Sequence, residues 1–396
     1  MTFDDINKYV EQYREEAITF LKEMLQTPSP TGQELEISRV IAKWMEKEAL
    51  IPEIYALDPL RPNVLTHWCG DPQGPRFMLN GHMDVFPPTE EEKKVRNPWS
   101  GEIINGNIYG KGSADMKAGL TAGIMAVKLL KRSGFVPYGT ITISCVCDEE
   151  QGAKYGTLYL ISQGLMDADF GVCMEASEDS VIVESDGRIA YSVTYRCKGG
   201  HAGMRTDRDN AIMKATKAIR RLQQYDEVLK KERSYDFKEG GAILSVTEIY
   251  AGQASNVHPD SCTFSIDRRY TRGETIESAT NELKAILDEL KEQDPDMEYE
   301  LAIPIANPQL SMDTDSSCIQ TAIASGKAVF GKDLILGRRC SGGDTSKITS
   351  ACGYPIPQFG PGQFDQLCSP TEHVSLDEYI GFIKVYMHMI VSLMKR

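Results

Sequence analysis

The sequence predicts an α/β fold in which a central mixed sheet is flanked by helices and a smaller α+β domain is inserted between the two parts of the main domain. Three observations support this prediction. In the first part of the chain, apolar runs of strand length alternate with segments whose apolar residues recur at helical spacing. Near residue 187 a different order of strands and helices begins. A proline-bearing stretch at residues 303–308 then leads back to α/β material.

The first part alternates strands with helices. The predicted elements are strands at residues 76–79, 140–146 and 170–174 and a helix over residues 115–132. A further helix is predicted after Thr31, because Thr31 and Glu34 have the spacing of a capping box. Strands separated by helices favour a largely parallel or mixed sheet covered on both faces. Polar residues follow these strands directly, where open α/β sheets place their sites.

The inserted domain has its own order of elements. Its predicted strands are residues 189–197, 242–250, 261–270 and 297–303, and its predicted helices are residues 209–224 and 274–292. This βαββαβ order is that of a ferredoxin-like unit. The sequence therefore predicts a main domain in two pieces, residues 1–186 and 304–396, with residues 187–303 inserted between them.

Composition and charge narrow the class of protein. A chain of 396 residues is longer than one ordinary core supports, which favours two domains. The net charge of −14 disfavours nucleic acid or an anionic membrane surface as the main partner. The N-terminal segment lacks the pattern of a signal peptide, and no window has the apolar length of a membrane span. We therefore expect a cytoplasmic protein, with its ten cysteines mostly reduced and buried.

One imidazole and several carboxylates stand at the ends of the apolar runs. They are His82, Asp84, Asp115, Glu149, Glu150 and Glu175. Histidine and carboxylate together suit Zn²⁺ and similar divalent ions, and a carboxylate left unligated beside such an ion can act as a general base. Each motif alone is weak, because a lone His-x-Asp or Glu-Glu pair is more often structural. The joint pattern indicates a metal-dependent hydrolase.

The order of these motifs closely resembles a known family. The matching segments are residues 81–85 (Gly-His-Met-Asp-Val), 110–119, 148–150, 174–176 and 199–201 (Gly-Gly-His). Together they resemble the dinuclear zinc family of acetylornithine deacetylase, succinyl-diaminopimelate desuccinylase, aminoacylase and glutamate carboxypeptidase, over essentially the whole chain. The resemblance implies a metallopeptidase catalytic domain with an inserted lid and dimerisation domain. It also implies two divalent metal ions, zinc in the first place and cobalt or manganese as alternatives.

The resemblance also assigns roles to the metal-site residues. It makes His82 and Glu175 ligands of one metal ion, Asp115 the bridge between both ions, and Glu150 a ligand of the other. Glu149 becomes the general base toward water at the metal ions.

Two further features near the ligands follow from the resemblance. The carboxylate of Asp84 is expected to accept the second ring N–H of His82 and so to fix its tautomer. The Asp115–Met116 peptide bond is expected to be cis.

Four residues are implied to act on the substrate. By resemblance, His201 donates to the carbonyl oxygen as negative charge develops, often across a dimer interface, although by itself it reads as an exposed turn histidine. Asn256 and Arg269 match lid residues that bind substrate, and Arg269 suits a terminal carboxylate. Gly343 belongs to a segment that resembles the family's glycine-rich loop, although its residue order differs and a plain turn is an alternative.

The last metal ligand departs from the family pattern. When the segment is aligned on Pro370 and Glu372, Cys368 occupies the position where the family has a histidine. Three interpretations are open: Cys368 coordinates as a thiolate, a local shift brings His373 in, or the second ion is weak or missing.

The sequence as a whole predicts an enzyme that cleaves an amide bond next to a free carboxylate, in N-acyl amino acids or short peptides. A ureido or carbamoyl amidohydrolase is the alternative within enzymes. A catalytically silent binding homologue is the alternative outside them, although Glu149 and His201, which only chemistry requires, argue against it. We expect a small-molecule substrate, no nucleic acid, no membrane, and a homodimer formed through the inserted domain.

Overall fold

The computed structural model describes residues 2–204, 210–233, 241–340 and 342–396. The chain forms two compact units. Unit 1 comprises Met1–Val183, Met312–Gly337 and Gly343–Arg396, and unit 2 comprises Glu184–Ser311 and Arg338–Gly342.

The described elements are as follows. The helices are α1 (Phe3–Gln12), α2 (Arg14–Gln26), α3 (Leu35–Glu46), α4 (Glu90–Val95), α5 (Ala118–Arg132), α6 (Thr157–Ser162), α7 (Ala211–Glu232), α8 (Ile276–Gln293), α9 (Ser317–Phe330), α10 (Gly343–Cys352) and α11 (Leu376–Leu393). The strands are β1 (Glu53–Tyr55), β2 (Asn63–Cys69), β3 (Asp71–His82), β4 (Glu102–Ile104), β5 (Asn107–Tyr109), β6 (Tyr138–Val146), β7 (Phe170–Cys173), β8 (Ser180–Ser185), β9 (Gly187–Arg196), β10 (Gly200–His201), β11 (Ile243–Ala251), β12 (Val257–His258), β13 (Ser261–Tyr270), β14 (Tyr299–Asn307), β15 (Leu310–Ser311), β16 (Ile335–Arg339) and β17 (His373–Ser375). None of the helices in the described ranges is both long and apolar enough to cross a lipid bilayer.

The central sheet of unit 1 has the strand order β1-β2-β6-β3-β7. Strand β3 runs parallel to β6 and to β7, whereas β2 pairs antiparallel with β1 and β6. The predicted mixed sheet is therefore confirmed. The sequence interpretation missed β1 and β2, because β1 is short and β2 carries polar residues such as Asn63 and His67 within its run.

Helices cover both faces of this sheet. Alternate side chains of a strand point to opposite faces, and β3 shows the consequence. Phe77 and Leu79 pack into the larger apolar core, which includes side chains of α5 and α11. Met78 packs into a second core with Leu160 of α6 and Ile348 of α10.

Unit 2 contains a four-stranded antiparallel sheet with the order β11-β13-β9-β14. Burial alternates along β9 and β13, and apolar residues of α7 and α8 join those of the sheet in one core. The chain order β9-α7-β11-β13-α8-β14 is the βαββαβ order expected of a ferredoxin-like unit. Helix α7 begins at Ala211 and is capped by Asn210. The predicted first residue of this helix, Asp209, lies outside the described residues.

The predicted capping box at Thr31 and Glu34 is wrong. Helix α3 begins at Leu35, and its N-cap residue Glu34 makes no side-chain capping bond. The Thr31 hydroxyl donates instead to Oδ2 of Asp84 at 2.8 Å. The Glu34 carboxylate accepts from the Gly32 amide at 2.9 Å and from Arg61 at 2.8 Å. The side chains of Thr31 and Glu34 therefore bond other residues instead of capping the helix.

The helix predicted from residue 115 begins three residues later than expected. Asp115 and Met116 have non-helical dihedral angles within an irregular turn, Ser113–Lys117, so α5 begins at Ala118. The Asp115–Met116 peptide bond is cis, as the family resemblance implies.

Candidate metal centre

The carboxyl ends of three neighbouring strands of unit 1 bring the candidate ligands together. His82 ends β3 and lies in register with Val146, the last residue of β6. The acidic turn at residues 148–150 follows β6 directly. Asn80 of β3 lies in register with Cys173, two residues before Glu175. Because the three strands are parallel, these segments meet at one edge of the sheet.

Asp115 reaches the same edge from the turn before α5. At the start of α5, a Cβ on Gly119 would lie 1.7 Å from the carbonyl oxygen of Met174, so this close approach of helix and strand requires a glycine. Oε1 of Glu372 accepts hydrogen bonds from the amides of Ala114 at 2.9 Å and Asp115 at 3.1 Å. The buried Glu372 side chain therefore holds the backbone of the Asp115 turn, a role that the sequence did not reveal.

His82, Asp115 and Glu175 form a compact cluster. Nε2 of His82 lies 3.1 Å from Oδ1 of Asp115 and 3.1 Å from Oε1 of Glu175. One donor atom from each residue lies within 4.8 Å of the other two. The imidazole is buried, and both carboxylates are mostly covered. Within the ranges that the structure describes, this is the one group of three or more such side chains with metal-site geometry.

The chemistry of this cluster fits a divalent cation. One imidazole nitrogen and two carboxylate oxygens are a donor set that zinc accepts. Burial pulls the pKa of His82 down, but its contacts with Asp115 and Glu175 hold that pKa well above its ordinary value. Burial, followed by repulsion from Asp115, raises the pKa of Glu175 to about 7. A divalent cation would relieve this repulsion, so the residues present fit a metal ion.

The second ring nitrogen of His82 has a different partner from the one expected. Nδ1 lies 2.9 Å from the backbone carbonyl oxygen of Asp84, whereas Oδ1 of the Asp84 carboxylate is 3.6 Å away. The second distance is too long for a hydrogen bond. The predicted hydrogen bond from His82 to the Asp84 carboxylate is therefore wrong, because the acceptor is the Asp84 main-chain carbonyl. Nδ1–H donates to the main chain, which leaves Nε2 free to face the cluster.

The Asp84 carboxylate holds the acidic turn instead. Burial raises its pKa to about 7. Its Oδ1 accepts from the amide of Glu149 at 3.1 Å, and its Oδ2 accepts from the amide of Glu150 at 3.4 Å and from the Thr31 hydroxyl. Asp84 thus touches His82 through its main chain and the glutamate pair through its side chain. One residue fixes the relative positions of both parts of the centre.

Glu149 and Glu150 lie beside the cluster, half-buried. Burial raises the pKa of Glu149, and the ammonium of Lys347 opposes that rise. Burial, followed by repulsion from Asp115, raises the pKa of Glu150 to about 10. Gly343 approaches Glu149 closely: a Cβ on Gly343 would lie 2.9 Å from Oε1 of Glu149, and its φ of +45° also favours glycine.

Sequence reasoning missed two charged residues next to Glu149. Asp344 and Lys347 are buried on α10, three residues apart, and therefore lie on the same face of that helix. Nζ of Lys347 is 3.8 Å from Oε1 of Glu149 and 3.8 Å from Oδ1 of Asp344. The signal that could have found them is their helical spacing directly after the glycine-rich segment.

Cys368 and His373 have different surroundings. Burial of the sulfur raises the pKa of the Cys368 thiol to about 11, and the nearby carboxylates of Asp115 and Glu150 add to the rise. Cys368 has a positive φ of 56°. His373 is a residue of β17, where its ring stacks on Tyr109 at 4.8 Å and its Nδ1 bonds the Thr371 carbonyl. The acidic cluster thus acts on Cys368, whereas His373 is engaged in a strand.

The remaining predicted residues belong to unit 2. His201 is exposed on β10, which pairs with β12, and its Nδ1 accepts from the Gly203 amide at 3.1 Å. The carbonyl of Asn256 accepts from the Ala202 amide at 3.0 Å, so Asn256 lies next to the His201 turn. The Arg269 guanidinium is held by the carboxylate of Asp267 and the carbonyl of Cys340.

Comparisons with known proteins match most of the chain. Residues 78–392 match the family model of peptidase family M20/M25/M40. The chain is 26% identical to the N-formyl-4-amino-5-aminomethyl-2-methylpyrimidine deformylase of Bacillus subtilis, with 98% of this chain and 96% of the relative covered.

Solved structures share the fold at low sequence identity. The di-peptidase Dug1p of Saccharomyces cerevisiae has a TM-score of 0.78 at 14% identity, with 99% of both chains covered. The YXEP protein of Bacillus subtilis, a dinuclear metal-binding peptidase of the M20 family, has a TM-score of 0.68 at 15% identity, with 97% of this chain and 99% of that chain covered.

Proposed function

Because the chain belongs to peptidase family M20/M25/M40, we propose that it is a metal-dependent hydrolase that cleaves an amide bond next to a free carboxylate. N-acyl amino acids and short peptides are the substrate class. The observation that carries this proposal is the cluster of His82, Asp115 and Glu175 with the carboxylate of Glu149 beside it. The deformylase and the di-peptidase among the similar proteins both act, by their names, on amide bonds.

The proposal assigns the ligands of two zinc ions. His82 and Glu175 would hold one ion, Glu150 with Cys368 would hold the other, and Asp115 would serve both. When bound, such ions polarise the substrate carbonyl and lower the pKa of water. The charges of Asp115 and Glu150 raise the pKa of the Cys368 thiol, and this influence supports its inclusion in place of the family's histidine. A thiolate is a ligand that zinc accepts readily.

Glu149 is the proposed general base. Glu149 lies in the acidic turn after β6, and its backbone amide donates to Asp84, whose main-chain carbonyl also contacts His82, so Asp84 fixes the backbone of this turn with respect to His82. The Glu149 carboxylate takes a proton from the attacking water and delivers a proton to the leaving amine nitrogen. Gly343 leaves room for this carboxylate, because any larger residue would contact Oε1.

We propose further roles for unit 2. His201 donates a hydrogen bond to the developing oxyanion, and Asn256 and Arg269 bind substrate. The pairing of β10 with β12 supports a joint role for His201 and Asn256. Strand β11 supports a homodimer, because it is an edge strand with exposed apolar residues at Ile249 and Tyr250.

We also propose a cytoplasmic location. All ten cysteines lie in the described ranges and are free thiols, which fits a reducing compartment.

The test of the function is the variant Glu149→Gln. The amide is close in shape but cannot take a proton, so hydrolysis of N-acetyl amino acids or dipeptides should fall by about 10²- to 10⁴-fold. Metal content, measured by mass spectrometry of the purified protein, should stay at the parental level. Glu90→Gln, at an exposed position of α4, is the matched control and should behave as the parent. Parental turnover in Glu149→Gln would remove Glu149 from the proposed mechanism.

A further inference from the structure

Lys347 presents a buried ammonium group beside the proposed general base. We propose that Lys347 is a specificity-determining residue that binds the free carboxylate of the substrate next to the scissile amide. This inference rests on the proposed function and names a group that recognises the substrate.

The ammonium of Lys347 lacks a hydrogen-bond partner within the described chain. The side chain is 3% exposed, yet Nζ is 3.8 Å from both Glu149 and Asp344, farther than a hydrogen bond allows. A buried ammonium with three unused donors is costly unless an acceptor completes it. On the other side, Oδ1 of Asp344 is buried without a hydrogen bond. Apart from these two longer ion-pair contacts, the Lys347 ammonium therefore keeps its hydrogen-bond donors available for an anionic ligand beside Glu149.

The position of Lys347 suits an anionic group of the substrate. The described side chains around the cluster are mainly carboxylates, including Asp115, Glu150 and Glu175, and these would repel a free carboxylate. In an N-acyl amino acid, the carboxylate is separated from the scissile carbonyl carbon by the amide nitrogen and one carbon. A cation next to Glu149 is therefore within reach of that carboxylate when the scissile carbonyl lies in front of the base. A lysine provides a point charge with rotatable donors, which does not require bidentate geometry.

Two other interpretations make different predictions. If Lys347 only forms an ion pair with Asp344, or only positions Glu149, its loss will affect charged and neutral substrates alike. Arg269, the arginine predicted for this role, already has its guanidinium bonded to Asp267 and to the Cys340 carbonyl. Lys347 has no such bond in the described chain.

The experiment compares N-acetyl-L-amino acids and dipeptides with their C-terminal carboxamides, which lack the negative charge. Turnover and binding, the latter by titration calorimetry, are measured on the zinc-loaded parent and on Lys347→Met and Lys347→Arg. We expect Lys347→Met to raise KM and Kd for the acids by about tenfold to a hundredfold, as for loss of a charge-assisted hydrogen bond. KM and Kd for the carboxamides should be unchanged, any fall in kcat through the lost effect of Lys347 on Glu149 should be shared by acids and carboxamides, and Lys347→Arg should recover part of the loss in KM and Kd for the acids.

Lys128→Met is the matched control, because Lys128 is another buried lysine of unit 1 but lies on α5 beside Glu16. An equal rise in KM and Kd for acids and carboxamides, or a change in kcat alone, would overturn the proposal for Lys347. The proposal would also be overturned if the parent protein bound the acids no more tightly than the carboxamides. If the parent binds acids by way of Lys347 but hydrolyses none of the compounds, the proposed function fails and the assignment of Lys347 stands.

Discussion

The two halves of the proposed metal centre differ in how fully the protein alone forms them. In the His82 half, three donor atoms from His82, Asp115 and Glu175 already lie within 4.8 Å of one another. In the Cys368 half, Glu150 and Cys368 lie outside that group, and the residue Cys368 is exposed although its sulfur is partly covered. Strand ends and a buried imidazole therefore preorganise the His82 half. The other half depends on a surface loop and on the ion that joins it.

The largest effect is expected from Asp115→Asn, because Asp115 is the residue common to both halves. The amide cannot supply the bridging charge, so retained metal should fall at both positions. Hydrolysis should drop by more than the roughly 10- to 100-fold that loss of an outer partner of a ligand costs. Metal analysis of the purified variant checks this. If one ion per chain is fully retained, Asp115 serves one half alone.

The second test separates the halves through Cys368. Cys368→Ser should release the ion of the Cys368 half and leave the other ion in place, lowering turnover by about tenfold or more. Cys368→His, which restores the family's usual ligand, should keep both ions. Metal stoichiometry by mass spectrometry is the measurement. Full retention of two ions in Cys368→Ser would show that the sulfur is not a ligand.

A third test probes the link between the halves at Asp84. In Asp84→Asn the main-chain carbonyl still accepts from His82, but the side chain holds the amides of Glu149 and Glu150 less firmly. We expect kcat to fall by about 10- to 100-fold while the ion of the His82 half is retained. Loss of that ion would mean that the Asp84 carboxylate, and not the carbonyl, orients His82.

The smallest effect lies outside both halves, at Lys128 of α5. Burial lowers the pKa of Lys128 from 10.5 to about 8, although Glu16 lies 3.6 Å away. Between these values the unfolded chain binds more protons than the folded one, so this lysine makes stability rise as the pH rises from 8 to 10.5.

Lys128→Met should therefore remove that rise and increase the free energy of unfolding near pH 7 by about 1 to 3 kcal/mol. Urea unfolding at several pH values checks this, with catalysis unchanged. A destabilised variant at pH 7 would show that the ammonium contributes favourable contacts.

The sequence predicted the fold class and predicted that the candidate ligands follow the ends of neighbouring strands, because hydrophobic periodicity and the order of elements are visible along the chain. The hydrogen bond of Thr31 to Asp84 and the contact of Lys347 with Glu149 could not be predicted in the same way. Thr31 bonds Asp84, fifty-three residues away, and Lys347 meets Glu149 across a still longer separation. Such contacts depend on three-dimensional placement, which spacing along the chain does not encode.

The most direct test of the proposed function is a zinc titration of the chelator-stripped protein while hydrolysis of N-acetyl-L-amino acids and dipeptides is followed. We expect no turnover without metal and a rise that saturates as both positions fill, with Glu149→Gln lower by about 10²- to 10⁴-fold throughout although it binds zinc equally. Full activity of the metal-free protein, or no hydrolysis of any of these amides at saturating zinc, would contradict the proposal.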